Sequence, residues 1–249
     1  MIIFISPAKG FNETEKKYSS LPLYEKEAKN IVSELKKYTL EDLGKVLKTN
    51  EKLTNLNYER YENFSFDENI SPAIFSYDGI QYKSMNLHKF EDKEIEFLNS
   101  NLRIISGLYG ILKPLDGIKP YRLEMQTKLK IDKYKNLYEF WGDKIYKNLS
   151  KESDGVIVNL ASLEYSKGIT KYIKDEIYVE CIFKVKKGDE LKVQSTASKK
   201  ARGMMVYFIG KNRIENYEDL KNFNLDGYNY REDLTEANGN KVKYVFVKE

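Results

Sequence analysis

Apolar residues follow helical spacing in several parts of this chain. Between Tyr24 and Tyr38 they recur at intervals of three and four, with lysine and glutamate between them, which predicts an amphipathic helix. The stretch Leu40–Phe64 repeats this pattern twice and predicts a helical hairpin, whose apolar positions are Leu43, Val46 and Leu47, then Leu53, Leu56 and Tyr61. Further helices are predicted at Glu91–Ser100, Leu137–Leu149, Ser198–Phe208 and Tyr217–Phe223.

Short apolar or alternating runs predict strands between these helices. Gly155–Leu160 suits a central strand, and the alternating run Tyr178–Val185 can pair with Leu191–Ser195 across a turn at residues 187–189. The other predicted strands are Met1–Ile5, Ala73–Tyr77, Arg103–Ser106 and Val242–Val247. No linker or repeat interrupts the alternation of strands and helices. We therefore predict an α/β fold of the mixed α+β type, in which residues 1–249 form a single compact domain with a central mixed sheet flanked by helices.

Composition is that of a globular protein. Of 249 residues, 41% are hydrophobic and 32% are charged, so the chain can bury a core. The apolar run Met1–Ile5 meets Ser6-Pro7 too early for a signal peptide or a membrane span, so we expect a cytoplasmic protein without a membrane partner. The net charge of +4 is too small to identify a polyanionic partner, which leaves local clusters of charge to do so.

Cysteine and histidine are almost absent. The single cysteine, Cys181, excludes an internal disulfide and multi-cysteine metal sites, and its strand-like neighbours predict a buried thiol. Catalysis by a Ser-His or Cys-His pair would have to use the single histidine, His88. Because the carboxylates show no recognisable ligand spacing either, we predict neither a metal site nor a cofactor.

The segment Ser106–Met125 is the strongest candidate for a functional loop. Three glycines and two prolines punctuate it directly after a predicted strand, and tight turns of this kind let backbone approach a ligand. Charges of both signs, suited to holding phosphate or a polar ring, lie at Lys113, Asp116, Lys119, Arg122 and Glu124, beside Tyr121. The alternative is an irregular surface connection with solvated charges, although structureless loops of this length are uncommon unless they are functional.

Four other stretches carry candidate chemistry. Lys9 follows the first strand, and Asn159, Ser162 and Glu164 follow a later one, where strand exits often build sites. Residues 138–143 place Asp143 near Phe140 and Trp141 on one predicted helix face, although Trp141 also suits the core. Lys199, Lys200 and Arg202 form a basic patch at the start of a predicted helix, either to pair with phosphates or as a solvated helix end.

Several long motifs occur in order between Met1 and Tyr230: SPAKG, SGLYGILKPLDGIKPYRLEM, LYEFWGD, VNLASLEY, KKARGMM and FNLDGYNY. Together they resemble the YaaA family of bacterial peroxide-stress proteins. The resemblance implies a mixed α/β fold peculiar to that family, a positively charged cleft, a helix-hairpin-helix-like element, DNA binding and a role in keeping free intracellular iron low. By position that element falls on Leu40–Phe64, whose turn at residues 48–50 lacks the usual glycine, so a plain packing hairpin is the alternative.

Our leading hypothesis is a cytosolic peroxide-stress protein without catalytic activity that binds DNA and limits damage from free iron. Its expected phosphate contacts surround one cleft, with Tyr109, Tyr121 and Trp141 able to stack on an unpaired base if exposed. The nucleic-acid-binding candidates are Lys9, Lys113, Lys119, Tyr121, Arg122, Lys199, Lys200 and Arg202.

The alternative hypothesis is an enzyme that acts on a nucleobase, a nucleotide or damaged DNA. A buried cleft lysine would serve as nucleophile, and a carboxylate as acid or base. The catalytic candidates are Lys9, Glu124, Asp143 and Glu164.

Overall fold

Strands and helices alternate along the chain in the computed structural model, which describes residues 1–68 and 70–249 and confirms the mixed α/β class. The strands are β1 (Ile2–Ile5), β2 (Gly10–Phe11), β3 (Ser71–Pro72), β4 (Tyr77–Asp78), β5 (Leu102–Ser106), β6 (Gly110–Leu112), β7 (Gly117–Ile118), β8 (Val156–Leu160), β9 (Ile177–Lys187), β10 (Glu190–Lys192), β11 (Tyr228–Tyr230), β12 (Glu236–Asn238) and β13 (Lys241–Lys248). The α-helices are α1 (Glu25–Leu35), α2 (Leu40–Leu47), α3 (Glu51–Glu62), α4 (Ala73–Ser76), α5 (Ile80–Lys83), α6 (Asp92–Asn101), α7 (Leu137–Trp141), α8 (Lys144–Glu152), α9 (Leu163–Thr170) and α10 (Ser195–Asn212). Short 3-10 helices lie at Leu87–Lys89, Tyr217–Asn222, Leu225–Gly227 and Glu232–Leu234.

One mixed sheet of nine strands organises the fold. Its middle consists of the parallel strands β13, β9, β8, β1 and β5, in that order. The antiparallel strands β11 and β6 lie at its two edges, β12 also pairs with β13, and β10 pairs with the end of β9. Every residue of β1 is buried, as expected for a parallel strand covered on both faces of the sheet. The first strand of the chain therefore lies at the centre of the core.

The predicted helix between Tyr24 and Tyr38 is confirmed as α1. Its buried residues are the four apolar positions that define the pattern: Ala28, Ile31, Val32 and Leu35. The remaining residues of the helix are partly or fully exposed, so helical periodicity alone identifies the packed face.

The helical hairpin is also confirmed, and Tyr61 is buried as predicted, but the predicted apolar face of its second helix is wrong at Leu53 and Leu56. Leu53 and Leu56 are exposed, whereas Thr54, Asn57 and Tyr61 are buried. The Thr54 hydroxyl donates to the carbonyl of Asn50 at 2.9 Å, and the Asn57 amide donates to that of Leu53 at 2.7 Å. Because these bonds satisfy the polar side chains, they can replace leucine at the buried positions.

The prediction of a strand over Ala73–Tyr77 is wrong. Ala73–Ser76 forms the short helix α4, which follows Pro72. The amides of Ala73 and Ile74 donate to the carbonyls of Asp116 and Pro114, both at 2.9 Å, so this turn docks against another part of the chain. A short apolar run does not distinguish a strand from a buried helical turn, and tertiary contacts decide here.

The single helix predicted over Leu137–Leu149 is two helices. Gly142 has φ +50° and ends α7, and α8 begins at Lys144. The apolar positions Leu137, Trp141, Ile145 and Leu149 are nevertheless all buried. The spacing of the apolar residues therefore predicts correctly which side chains are buried. It does not predict the end of α7, which Gly142 causes by its positive φ angle.

The basic stretch near residue 200 lies inside a helix and not at its start. The helix α10 begins at Ser195, so the predicted hairpin partner of β9 is limited to β10, Glu190–Lys192. It is the longest helix in the described part of the chain. No helix among the described residues has the length and apolar composition needed to span a membrane.

Candidate functional site

A cavity of about 340 Å³ opens beside the carboxyl ends of β1 and β8. The connection that follows β1 leads towards β5 on one side, whereas the connection that follows β8 leads towards β9 on the other. Between two such parallel strands the departing loops separate and leave a crevice, which is where open α/β sheets bind ligands. The loops are joined there, since the Ser162 amide donates to the Ser6 hydroxyl oxygen at 2.8 Å.

Five parts of the chain supply the walls of this cavity. They are residues 6–10 after β1, residues 78–82 at β4 and α5, residues 121–124, residues 162–165 without Leu163, and two side chains of α10. The structure thereby brings together many of the predicted site residues: Lys9, Tyr121, Arg122, Glu124, Glu164, Lys199 and Arg202.

Glu124 links two cations at the cavity. Lys9 Nζ lies 2.8 Å from Glu124 Oε1, and the Arg122 guanidinium donates to the same oxygen at 2.8 Å and 3.1 Å. Burial would raise the pKa of Glu124, but hydrogen bonds and charge from Lys9 and Arg122 outweigh burial and hold it below its usual range. Glu124 is therefore ionised at neutral pH, and it holds both cations in place.

Glu164 has the opposite electrostatic environment. Burial and the nearby charge of Glu124 raise its pKa, although the Gln126 amide donates to its Oε1 at 3.2 Å. None of the described residues forms an ion pair with it. Besides Asp78, the cavity thus has two carboxyl groups whose pKa values are shifted in opposite directions.

These pKa shifts predict opposite effects of two matched substitutions. The folded protein binds a proton on Glu164 more tightly than the unfolded chain does. At pH values above the pKa of Glu164 in the unfolded chain, the ionised carboxylate therefore lowers the free energy of unfolding. Glu164→Gln is expected to raise the Tm by a few degrees at about pH 7 and to change it little at about pH 3. Glu124→Gln is expected to lower the Tm at about pH 7, with a loss that shrinks as the pH falls through the depressed folded pKa.

Thermal melts of both variants at the two pH values measure this difference. The same sign of Tm change in both variants at neutral pH would contradict the assignment of the two carboxyl groups.

The helix α10 places its cations on different faces. Lys199 and Arg202, three residues apart, both border the cavity, whereas Lys200 turns away and pairs with Asp226 at 3.0 Å. Among the described residues neither Lys199 nor Arg202 belongs to an ion pair. These two charges are therefore available to an anionic ligand.

Gly203 sets the distance between α10 and the opposite wall of the cavity. A Cβ atom at this position would lie only 2.0 Å from the Gln81 carbonyl oxygen on α5. Glycine in the KKARGMM motif therefore allows the two helices to approach closely. The same contact brings Gln81 close to Arg202 at the cavity.

Most of residues 106–125 lie in the core, so the interpretation of this segment as an exposed, irregular loop is wrong. It contains β6 and β7, and its glycines serve packing. A Cβ on Gly107 would meet the Leu123 carbonyl at 2.7 Å, and one on Gly110, which has φ +71°, would meet the Trp141 ring at 2.7 Å. Only residues 121–124 of this segment border the cavity.

The motif LYEFWGD makes hydrogen bonds that position the cavity walls. The Trp141 indole donates to the Gly107 carbonyl at 3.0 Å, and the Tyr138 hydroxyl donates to the Glu164 carbonyl at 2.8 Å. Asp143 does not share the Phe140 helix face, because it follows the break at Gly142 and pairs with Lys147 at 2.8 Å. The motif thus positions the cavity walls, and Asp143 lies elsewhere.

Other predicted site residues also lie away from the cavity. Lys113 is exposed and Lys119 is half-buried, and neither side chain borders the cavity. Lys200 and Asp143 do not border the cavity either. The exposure required for stacking by Tyr109, Tyr121 and Trp141 is not met, since all three are buried. Lys9 is not the buried lysine expected of a nucleophile, because 62% of its side chain is exposed.

Residues 78–82 are the part of the wall that the sequence patterns do not predict. Gln81 and Tyr82 are buried there, and the Tyr82 hydroxyl donates to the Ser6 carbonyl at 3.0 Å. The turn-forming pair Asp78-Gly79 is the only local signal of this wall in the sequence.

Neither the cysteine nor the histidine borders the cavity. Burial raises the pKa of Cys181 to about 12, which keeps its thiol protonated and confirms the prediction of a buried thiol. His88 is exposed in the 3-10 helix Leu87–Lys89. Within residues 1–68 and 70–249, no three or more His, Cys, Asp or Glu side chains cluster in a way that could hold a metal ion.

Comparison with known proteins identifies the family. A family model described as peroxide stress protein YaaA matches residues 1–234. A UPF0246 protein of Clostridioides difficile is 52% identical over all of both chains, and one of Desulfitobacterium hafniense is 45% identical over all of this chain and 98% of its own. A UPF0246 protein of Ligilactobacillus salivarius is 40% identical over all of both chains. The chain therefore belongs to the family of the peroxide stress protein YaaA.

Proposed function

We propose that this protein binds DNA through the cations around the cavity and so acts in the peroxide stress response. The observation that carries the proposal is the convergence of Lys9, Arg122, Lys199 and Arg202 on one crevice, with Lys199 and Arg202 free of ion pairs among the described residues. Cations of this kind form charge-assisted hydrogen bonds with phosphate oxygens. Planar guanidinium groups suit phosphate in particular because they can bind two oxygens at once.

The link to iron follows from the same contacts. DNA carries a condensed layer of counterions, and a protein that neutralises phosphates with lysine and arginine releases them. Iron(II) held in that layer would be displaced from the DNA that the protein covers. The protein would thereby limit damage from free intracellular iron at the DNA itself, without a metal site of its own.

Salt dependence of DNA binding tests the electrostatic part of this proposal. Four phosphate contacts predict a slope of about −3.6 for log K against log salt concentration, which is about a hundredfold loss of affinity between roughly 50 and 200 mM salt. Fluorescence anisotropy of a labelled duplex measures it. An affinity that stays flat over this range would contradict phosphate contact at the cavity.

A second candidate function is an enzyme that acts on a nucleobase, a nucleotide or damaged DNA. The observation in its favour is the pair Glu124 and Glu164, whose pKa values shift in opposite directions at one cavity. Lys9, once released from Glu124 and deprotonated, would attack the C1′ aldehyde of an abasic site, and loss of water would give a Schiff base. Borohydride should then trap a covalent adduct with abasic DNA, and no adduct with any damaged substrate would argue against this function.

A further inference from the structure

Two hydrogen-bond donors at the cavity have no partner. Gln81 is only 7% exposed, and its side-chain Nε2 has no acceptor among the described residues. Arg202 Nε is likewise buried without an acceptor there. Leaving such buried groups unpaired is unfavourable, so a site with unmet donors is suited to a ligand that supplies acceptors.

The walls beside these donors suit a flat ring. Tyr82 and Tyr165 border the cavity but are only 5% and 8% exposed, so they contribute apolar wall and not an open stacking face, and Ala8 and Leu123 add apolar surface. A volume of about 340 Å³ lies in the range of pockets that bind small molecules. Proteins that bind a base outside the duplex use the same combination of aromatic or apolar walls and polar groups aimed at the base edge.

An exposed leucine lies between two residues of the cavity wall. Leu163 is 74% exposed and lies between Ser162 and Glu164, which both border the cavity. Leu163 does not itself border the cavity, but its position between two wall residues keeps it close to the cavity. Apolar side chains at such positions enter the gap that opens in a base stack when a base leaves it.

We propose that the cavity receives a single nucleobase extruded from DNA, with Gln81 and Arg202 facing its acceptor edge and Leu163 filling the vacated stack. This inference rests on the proposed function, since the cations around the cavity, Lys9, Arg122, Lys199 and Arg202, must first hold the DNA backbone. Two unmet donors suit a base edge that presents two acceptors, as guanine does at N7 and O6. The expected ligand is therefore an unpaired guanine.

The probe is a duplex with one bulged guanine beside 2-aminopurine, compared with the same duplex fully paired. Wild-type protein is expected to bind the bulged duplex more tightly and to raise the 2-aminopurine fluorescence as stacking is lost. Gln81→Leu should reduce the preference for the bulged duplex about tenfold. The same variant should melt at or above the wild-type temperature, because it removes an unpaired buried donor.

Leu163→Ala should reduce the fluorescence rise, and Leu23→Ala is the matched control, since Leu23 is also exposed but has no neighbour in the chain that borders the cavity. Salt-dependent binding of the paired duplex, with no fluorescence rise and no effect of Gln81→Leu on the preference, would overturn the inference and leave the proposed function intact. Absence of salt-dependent binding to either duplex would overturn both.

Discussion

Replacing Lys9, Lys199 and Arg202 together by glutamine is expected to weaken DNA binding roughly a thousandfold. Three charge-assisted hydrogen bonds at about 1.5 kcal/mol each would be lost. The slope of log K against log salt concentration should also become less steep, because three phosphate contacts are removed. All three side chains border the cavity, and neither Lys199 nor Arg202 forms an ion pair among the described residues. Fluorescence anisotropy with a labelled duplex, in parallel with a thermal melt, measures affinity and folding separately.

The matched control replaces Lys113, Lys119 and Lys200 by glutamine. This variant changes the net charge by the same amount, but none of the three side chains borders the cavity. Its affinity is expected to stay within a few-fold of wild type. An equal loss in both triple variants would show that binding depends on overall charge and not on the cavity.

Gly203→Ala is expected to lower the free energy of unfolding by about 1–3 kcal/mol. The new Cβ would lie 2.0 Å from the Gln81 carbonyl oxygen and 2.8 Å from Ser84 Cβ, so α10 and α5 would have to separate. For a chain of this size the Tm should fall roughly 2–4 °C for each kcal/mol lost. DNA affinity should fall as well, because the separation moves Arg202 away from the opposite wall.

Gly168→Ala provides the control for this substitution. Gly168 lies in α9, where the nearest atom to an added Cβ is a Tyr138 ring carbon at an ordinary 3.4 Å. Alanine there should stabilise the protein by about 0.4–1 kcal/mol through the reduced freedom of the unfolded chain. Thermal melts of both variants decide the matter, and a Gly203→Ala protein as stable as Gly168→Ala would disprove the close approach.

Hydrophobic spacing predicts those elements whose burial depends on apolar residues alone. The helix α1 and the strand β9 follow this rule, and their existence could be predicted from the sequence. The face of α3 could not, because Thr54 and Asn57 are buried with their hydrogen bonds satisfied inside the hairpin. Hydrophobicity carries no information about such internally paired polar residues.

The candidate site could be predicted where it depends on strand order. Lys9 and Glu164 follow β1 and β8, which are parallel neighbours, so their loops meet at one edge of the sheet. Gln81 could not be predicted in the same way. Its place in the wall depends on the close contact of Gly203 with α5, which joins parts of the chain that are distant in sequence.

The helical hairpin offers a competing surface for DNA. The turn between α2 and α3 has Lys48 in a left-handed conformation, and the amides of Lys48 and Thr49 both donate to the Gly44 carbonyl. Backbone amides that are already paired within the hairpin are poor donors to phosphate. We therefore expect the hairpin to pack as part of the fold, while the cavity contacts DNA.

Hydrogen exchange with and without duplex DNA compares the cavity and the hairpin in one measurement. If the cavity binds DNA, amides in residues 6–10, 78–82 and 121–124 should exchange more slowly in the complex, and those in residues 48–50 should be unchanged. Protection confined to residues 48–50, with the three cavity segments unaffected, would contradict the account.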